Sequence, residues 1–187
     1  MQMRPLVLCA FLCAVASARA ADNFAVDPVH SGVHFKISHL GLAWVHGRFN
    51  DFSGSFTIDP DDAGKCSFAM NINTSSIDTN NQKRDEHLRS PDFFNVKQFP
   101  GITFKSTGLK AIKDGYQVTG DLTMHGATKP VTFTLTGGRK AEFPKGVQRT
   151  GYSTEVILKR SDFGMDKFAE ALGDEVHIAV SLEGTKR

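Results

Sequence analysis

Cysteine is scarce in this 187-residue chain, which holds three. Cys9 and Cys13 fall in an N-terminal segment with the marks of an export signal. Arg4 precedes an apolar run from Leu6 to Ala16, and Ala18-Arg19-Ala20 supplies small residues at the cleavage position. Cleavage is expected after Ala20, dividing the chain into a signal, 1–20, and one mature domain, 21–187, delivered to the periplasm. Leu8 and Leu12 precede the two cysteines where lipoprotein processing wants a small residue, which argues against lipid attachment. Only Cys66 then remains. A disulfide-stapled domain is excluded, and the fold must be held by its core. Cys66 shares the parity of Phe68 and Met70 with no cation beside it, the setting of a buried, inert thiol.

Long hydrophobic runs are missing as well. The leader's run falls well short of the roughly 20 residues that a membrane-spanning helix needs, and no later stretch approaches that length. An excess of either charge is also absent. Without Arg4 and Arg19 the chain has 20 Lys and Arg against 20 Asp and Glu. This balance weighs against nucleic acid as a partner and against a polybasic attachment to anionic lipid.

Catalytic and metal signatures are weak. Phe52-Ser53-Gly54-Ser55-Phe56 only loosely resembles the nucleophile elbow and lacks its strand-turn-helix context. Four histidines, 30, 34, 39 and 46, cluster in sequence, but strand parity separates them and no zinc spacing results. No metal, cofactor or catalytic residue is expected.

Alternation of apolar and polar residues is abundant, with the period of a sheet that has one dry face. Val33, Phe35 and Ile37 mark the first expected strand. Phe52, Phe56 and Ile58 mark a second, and Cys66, Phe68, Met70 and Ile72 a third. Ile102 and Phe104 form a fourth, followed by Tyr116, Val118, Leu122 and Met124. Val131, Phe133 and Leu135, then Tyr152, Val156 and Leu158, then Val176, Ile178, Val180 and Leu182 complete eight. Short connections such as Lys113-Asp114-Gly115 and His125-Gly126-Ala127-Thr128 imply antiparallel neighbours. The fold class is therefore all-β: an eight-stranded antiparallel up-and-down barrel, whose closure removes exposed edges. A two-sheet sandwich is the rival arrangement.

Three connections break the rhythm. Asn80 to Arg89 is polar except for Leu88, which predicts a short helix, and Phe93, Phe94 and Phe99 follow it. Ser38 to Phe49, with Leu40, Leu42, Trp44 and Val45, is too apolar for a solvent loop and is expected to pack over a barrel end. Asp162 to Phe168 again mixes aromatics with charge.

Fourteen of the fifteen phenylalanines lie beyond the leader. They could fill the barrel completely, but glycines at inward positions 54 and 120 point to a ligand-sized tunnel. An eight-stranded barrel has room for either. Inward parity and the aromatic connections assign the tunnel wall to Val33, Phe35, Ile37, Leu40, Trp44, Phe52, Phe56, Phe68, Met70, Ile72, Phe93, Phe94, Ile102, Phe104, Val118, Leu122, Met124, Phe133, Val156, Phe163 and Val180. Apolar walls imply an apolar ligand. Asn80, Arg84, His87 and Arg89 are then available at the lid to a headgroup, with arginine suited to phosphate.

The chain resembles the YceI-like family. The resemblance is carried by Asp78-Thr79-Asn80, Arg84-Asp85, His87-Leu88-Arg89-Ser90, Asp92-Phe93-Phe94 and Phe99-Pro100. Gly120 to Gly126, Thr128-Lys129-Pro130-Val131 and Arg160 to Gly164 add to it. It implies an exported lipocalin-like barrel, often dimeric, that holds an isoprenoid or other long-chain amphiphile: a polyprenyl phosphate, a quinone tail or a fatty amide. Transport or storage without catalysis is the reading that follows. Two others stand beside it: an enzyme acting on a lipid headgroup through His87 and Asp85, and a solid-cored adhesion or stress-response module.

Overall fold

The computed structural model describes residues 20–187, and in it the alternation becomes a closed sheet. Its strands are β1 (Asp22–Val26), β2 (Gly32–His39), β3 (Ala43–Phe49), β4 (Phe52–Ile58), β5 (Ser67–Asn73), β6 (Ile77–Asp78), β7 (Gly101–Ile112), β8 (Gly115–Met124), β9 (Ala127–Glu142), β10 (Gln148–Lys159) and β11 (Leu172–Lys186), with one α-helix, α1 (Gln82–Arg89). The expected export signal lies outside the described residues. Among those residues no helix is long and apolar enough to cross a membrane.

Eleven strands make eight staves. β1 and β2 run end to end along β11, with Phe24 opposite Lys186 and Val33 opposite Val180. β3 and β4 likewise continue each other against β5 and β6, bent where Asn50 N donates to Ser76 O at 3.1 Å. Every neighbouring pair is antiparallel, and β1 closes the ring by bonding both β4 and β11. The His125-Gly126 turn explains one tight link. Both residues take positive φ, 51° and 78°, as the two-residue turn between twisted strands requires.

Ser38 to Phe49 is not a cap over the barrel end. It is the tip of the β2–β3 hairpin together with β3 itself, in register from Val33 opposite Phe49 to His39 opposite Ala43. Val45, Gly47 and Phe49 face inward while Trp44, His46 and Arg48 face out. A glycine on the inner face and an indole on the outer one hid the period of two. β1, ahead of the first expected strand, was likewise not anticipated.

One half of the barrel is solid. Phe24, Phe56 and Phe68 stack with ring centroids 5.0 and 5.1 Å apart. Tyr152 sets its edge against Phe56 and Phe68 at 5.7 and 5.4 Å. Val26, Ile58, Cys66, Val118 and Leu182 pack around this plug. The inward glycines serve packing and do not open a tunnel. A Cβ at Gly54 would lie 2.4 Å from Met70 Sδ, and one at Gly120 2.5 Å from Phe104 Cζ.

Candidate functional site: an apolar cavity under a helical lid

Above the plug the barrel is hollow, with a cavity of about 540 Å³. Phe68, Leu135 and Leu182 form its floor; Phe104, Phe133 and Ile178 are in its wall; Leu88, Phe93, Phe94, Phe168 and Leu172 roof it. The wall is almost wholly carbon because β-strands present alternate residues to the inside, and here these are Val, Ile, Leu, Met or Phe. Thr154 is an exception: its Oγ1 is buried in the wall without a hydrogen-bond partner among the described residues.

The lid is stapled by polar residues. Asn81 caps α1, its side chain accepting from Arg84 N at 3.0 Å. Buried Asp85 accepts from Thr79 N at 2.9 Å and Thr79 Oγ1 at 2.5 Å. Arg84 Nε donates back to Thr79 Oγ1, and its Nη2 to Thr79 O, both at 2.7 Å. At the helix's other end, Arg89 donates to Ser75 O at 2.8 Å and Ile77 O at 2.7 Å. A polar helix with little apolar surface is thus held to the barrel by side-chain bonds to Thr79 and to backbone carbonyls, and Leu88 is its apolar contribution to the cavity.

A second lid segment follows β10. Arg160 is buried and, among the described residues, has no carboxylate bonded to it. Its guanidinium donates to four carbonyls, those of Met165, Lys167, Leu172 and Gly173, at 2.6 to 3.3 Å. These bonds replace the water it lost and fold the 164–172 loop over the cavity. His87 bridges the two lid segments. Its Nε2 lies 3.0 Å from Asp92 Oδ2, and its ring meets Phe93 and Phe168 edge-on at 5.0 and 5.5 Å.

Most residues assigned to the wall by parity do line the cavity: Val33, Phe35, Ile37, Phe68, Met70, Ile72, Phe93, Phe94, Ile102, Phe104, Leu122, Met124, Phe133, Val156 and Val180. Others do not. Phe52, Phe56 and Val118 belong to the packed core, because inward parity does not say at what height along the barrel a side chain sits. Phe163 is buried in the turn after β10, its carbonyl 2.9 Å from His125 Nδ1. Leu40 and Trp44 are exposed on the β2–β3 hairpin, Trp44 against His177 on the outer surface.

Of the four lid residues, Arg84 and His87 border the cavity. Asn80 lies in a shallow outer groove with His46 and Arg48, and Arg89 faces neither space, being spent on the staple. Arg84 and Arg89 each donate through Nε and Nη2, so what separates them is place: Arg84 stands at the rim of the cavity and Arg89 does not. Leu88 and Arg160 border the cavity without having been assigned to it, and Met165 and Phe168 border it from the aromatic connection Asp162 to Phe168. Leu88 had a visible signal, as the one apolar residue in a polar helix.

A further cluster lies away from the cavity. Asp27, His30 and Glu183 have the mutual spacing of metal ligands, but an arginine already serves them. Arg149 Nη1 sits 2.8 Å from Asp27 Oδ2 and 2.5 Å from Glu183 Oε1. The bonds from His30 and Arg149 hold the Asp27 carboxyl well below the usual range.

Comparison with known proteins agrees with this architecture. The sequence pattern of the YceI-like domain matches residues 24–184. UPF0312 protein PA0423 of Pseudomonas aeruginosa is 41% identical over 184 residues, 97% of this chain and 96% of that protein. Among solved structures, BcnA of Burkholderia cenocepacia is similar with a TM-score of 0.74 and 28% identity, over 84% of this chain and 98% of that one. A polyisoprenoid-binding domain from Saccharophagus degradans has a TM-score of 0.66 at 16% identity, over 88% of this chain and 98% of that one, a likeness of fold alone.

Proposed function

The chain belongs to the YceI-like family, and from that premise we propose that it is a non-catalytic carrier of a long-chain isoprenoid amphiphile, of the polyprenyl phosphate or isoprenoid quinone type. The tail lies in the hollow half of the barrel and the head stays at the rim near Arg84 and His87. The carrier works in the periplasm, delivered there by the signal in residues 1–20.

The observation that carries this reading is the apolar cavity itself. A methylene takes about the volume share of a water molecule, about 30 Å³, so about 540 Å³ accommodates on the order of 18 carbons, between three and four isoprene units. At roughly 0.8 kcal/mol per methylene the gross gain is on the order of 10 kcal/mol. Association and ordering cost several kcal/mol, which leaves useful affinity without any help from the head. The aromatic plug stops the tail from passing through, so longer chains would fold back or protrude from the mouth. Support also comes from the Saccharophagus degradans domain of the same fold, described as polyisoprenoid-binding.

Organic extraction of the purified protein followed by mass spectrometry tests the proposal. A stoichiometric isoprenoid amphiphile is expected, and the Val156→Trp variant, whose indole takes up part of the cavity, should carry less of it while remaining folded. Preparations without such a molecule that also fail to take up a polyprenyl phosphate or a quinone from detergent micelles would overturn it. Turnover of an offered lipid that disappears in His87→Ala would point to an enzyme instead.

A further inference from the structure

The Thr154 hydroxyl is out of place in a carbon wall. Thr154 is 8% exposed and borders the hollow, and its Oγ1 has no hydrogen-bond partner among the described residues. Thr74 Oγ1 shares that condition, but it lies in the turn after β5 and does not border the cavity. Burying a hydroxyl without a partner is unfavourable. Valine has the same shape, suits a strand as well, and lines the cavity at Val33, Val156 and Val180. Neither packing nor strand formation therefore accounts for an oxygen at this position.

Register fixes the height of that oxygen. The inward residues of β10 run Tyr152, Thr154, Val156 and Leu158. Tyr152 belongs to the aromatic plug, edge-on to Phe56 and Phe68, and its hydroxyl lies by Gly138, past the cavity's floor. Thr154 is thus the first side chain of β10 above the plug, at the closed end of the hollow. At about 3.3 Å per residue it lies roughly 20 Å along the chain from Arg160 at the lid. Val180 stands opposite it, and Phe68, Leu135 and Leu182 make the floor. Thr79, Arg84, His87 and Arg160 border the cavity from the lid segments. A water among the floor side chains would have Thr154 as its one side-chain partner, whereas buried waters typically make about three hydrogen bonds.

We infer that the closed end of the cavity is a subsite for an uncharged oxygen, a hydroxyl or carbonyl at the far end of the bound chain, and that Thr154 Oγ1 is its hydrogen-bond partner. The inference rests on the carrier reading and narrows its ligand to a chain that is polar at both ends, with one head at the rim and a second oxygen at the floor. A charge is excluded there, because Phe68, Leu135, Val180 and Leu182 offer nothing to pair with it. An uncharged oxygen needs one bond, and a threonine hydroxyl can donate to a carbonyl or accept from a hydroxyl. Toward a plain hydrocarbon end the same hydroxyl is a cost, since it has been stripped of water without replacement. Thr154 therefore sets specificity for what the chain carries at its far end.

Calorimetric titration of the parent, Thr154→Val and Thr154→Ser with palmitate and with ω-hydroxypalmitate tests it. The carboxylate common to both acids keeps one end at the rim, and the two probes differ only at the other. The parent's preference for ω-hydroxypalmitate over palmitate should exceed that of Thr154→Val by about fivefold, the effect of one neutral hydrogen bond. Thr154→Ser, which keeps the oxygen, should retain most of the preference, and Thr154→Val should hold palmitate at least as tightly as the parent does. An equal preference in the parent and Thr154→Val would overturn the inference and leave the carrier reading standing. If the parent binds neither acid, the cavity does not take a hydrocarbon chain and both fall.

Discussion

Phe168 stacks on Phe93 with their ring centres 5.7 Å apart and their planes 20° from parallel, and this contact joins the loop after β10 to the lid beside α1. Both rings border the cavity, and Phe168 is 40% exposed, so the pair lies where a ligand would pass. Phe168→Ala should therefore loosen the mouth. An aromatic pair is worth about 1 kcal/mol beyond its burial. Uptake and release of a fluorescent isoprenoid should both accelerate by about fivefold, with equilibrium affinity nearly unchanged. Stopped-flow kinetics reads both rates, and a change in affinity with unaltered rates would contradict the role of a closure.

Arg89 staples the end of α1 to the barrel. Its two bonds hold the end of α1 to Ser75 and Ile77. Arg89→Ala should cost about 2 kcal/mol, since charge-assisted bonds contribute roughly 1.5 to 3 kcal/mol each and this side chain is only half-buried. Arg89→Lys, which keeps the charge and loses the fork, should recover less than half of that stability. Urea denaturation measures both. Full recovery by lysine would mean that charge alone matters there.

Thr154 places a hydroxyl that has no partner among the described residues in a wall made mostly of carbon. Thr154→Val removes its desolvation cost and should stabilise the unliganded protein by about 1 kcal/mol. Affinity for a purely hydrocarbon chain should rise severalfold. Calorimetry with a fatty alcohol and thermal unfolding would check this, and a loss of affinity would mean that the hydroxyl bonds the ligand.

Asp22 links acid sensitivity to barrel closure. Its carboxylate lies 2.7 Å from Lys186 Nζ and 2.9 Å from Lys140 Nζ, tying β1 to β11 and β9. These bonds lower its pKa from 3.8 to about 2, outweighing burial, which acts the other way. The unfolded chain takes up this proton at the higher pH. The stabilisation is therefore complete above the unfolded value and is lost as pH falls through about 4 toward about 2. Asp22→Asn should cost about 1 kcal/mol at neutral pH, because both lysines are partly exposed. The gap between variant and parent should close over that acid window. Urea midpoints at a series of pH values measure it.

Much of this was legible in the chain. The period of two, the short turns and the even spacing of strands required an antiparallel sheet. A chain with so little cysteine had to bury a large core, and closure followed from the long alternating strands. The polar run from Asn80 to Arg89 announced a helix that could not enter the core. Parity identified Phe104, Leu122 and Val180 as inward, because in a strand direction alternates strictly with position.

What parity could not supply was height along the barrel and what covers each end. Phe56 and Phe133 look alike in sequence, yet one belongs to the aromatic plug and the other to the cavity wall, because strand stagger sets their level. Gly54 and Gly120 looked like vacant space, but Met70 and Phe104 fill it. Arg84 and Arg89 looked like equivalent cations. Both donate through Nε and Nη2, but folding places Arg84 at the rim of the cavity and Arg89 away from it, against the carbonyls of Ser75 and Ile77. Sequence determined that this chain folds as a closed β-container with polar and aromatic connections. Tertiary structure alone decided that the container is half filled and half hollow, and that an apolar-tipped hairpin stands at its mouth. The physical reason is that alternation is a local property of a strand, whereas depth and closure depend on the register between strands distant in the chain.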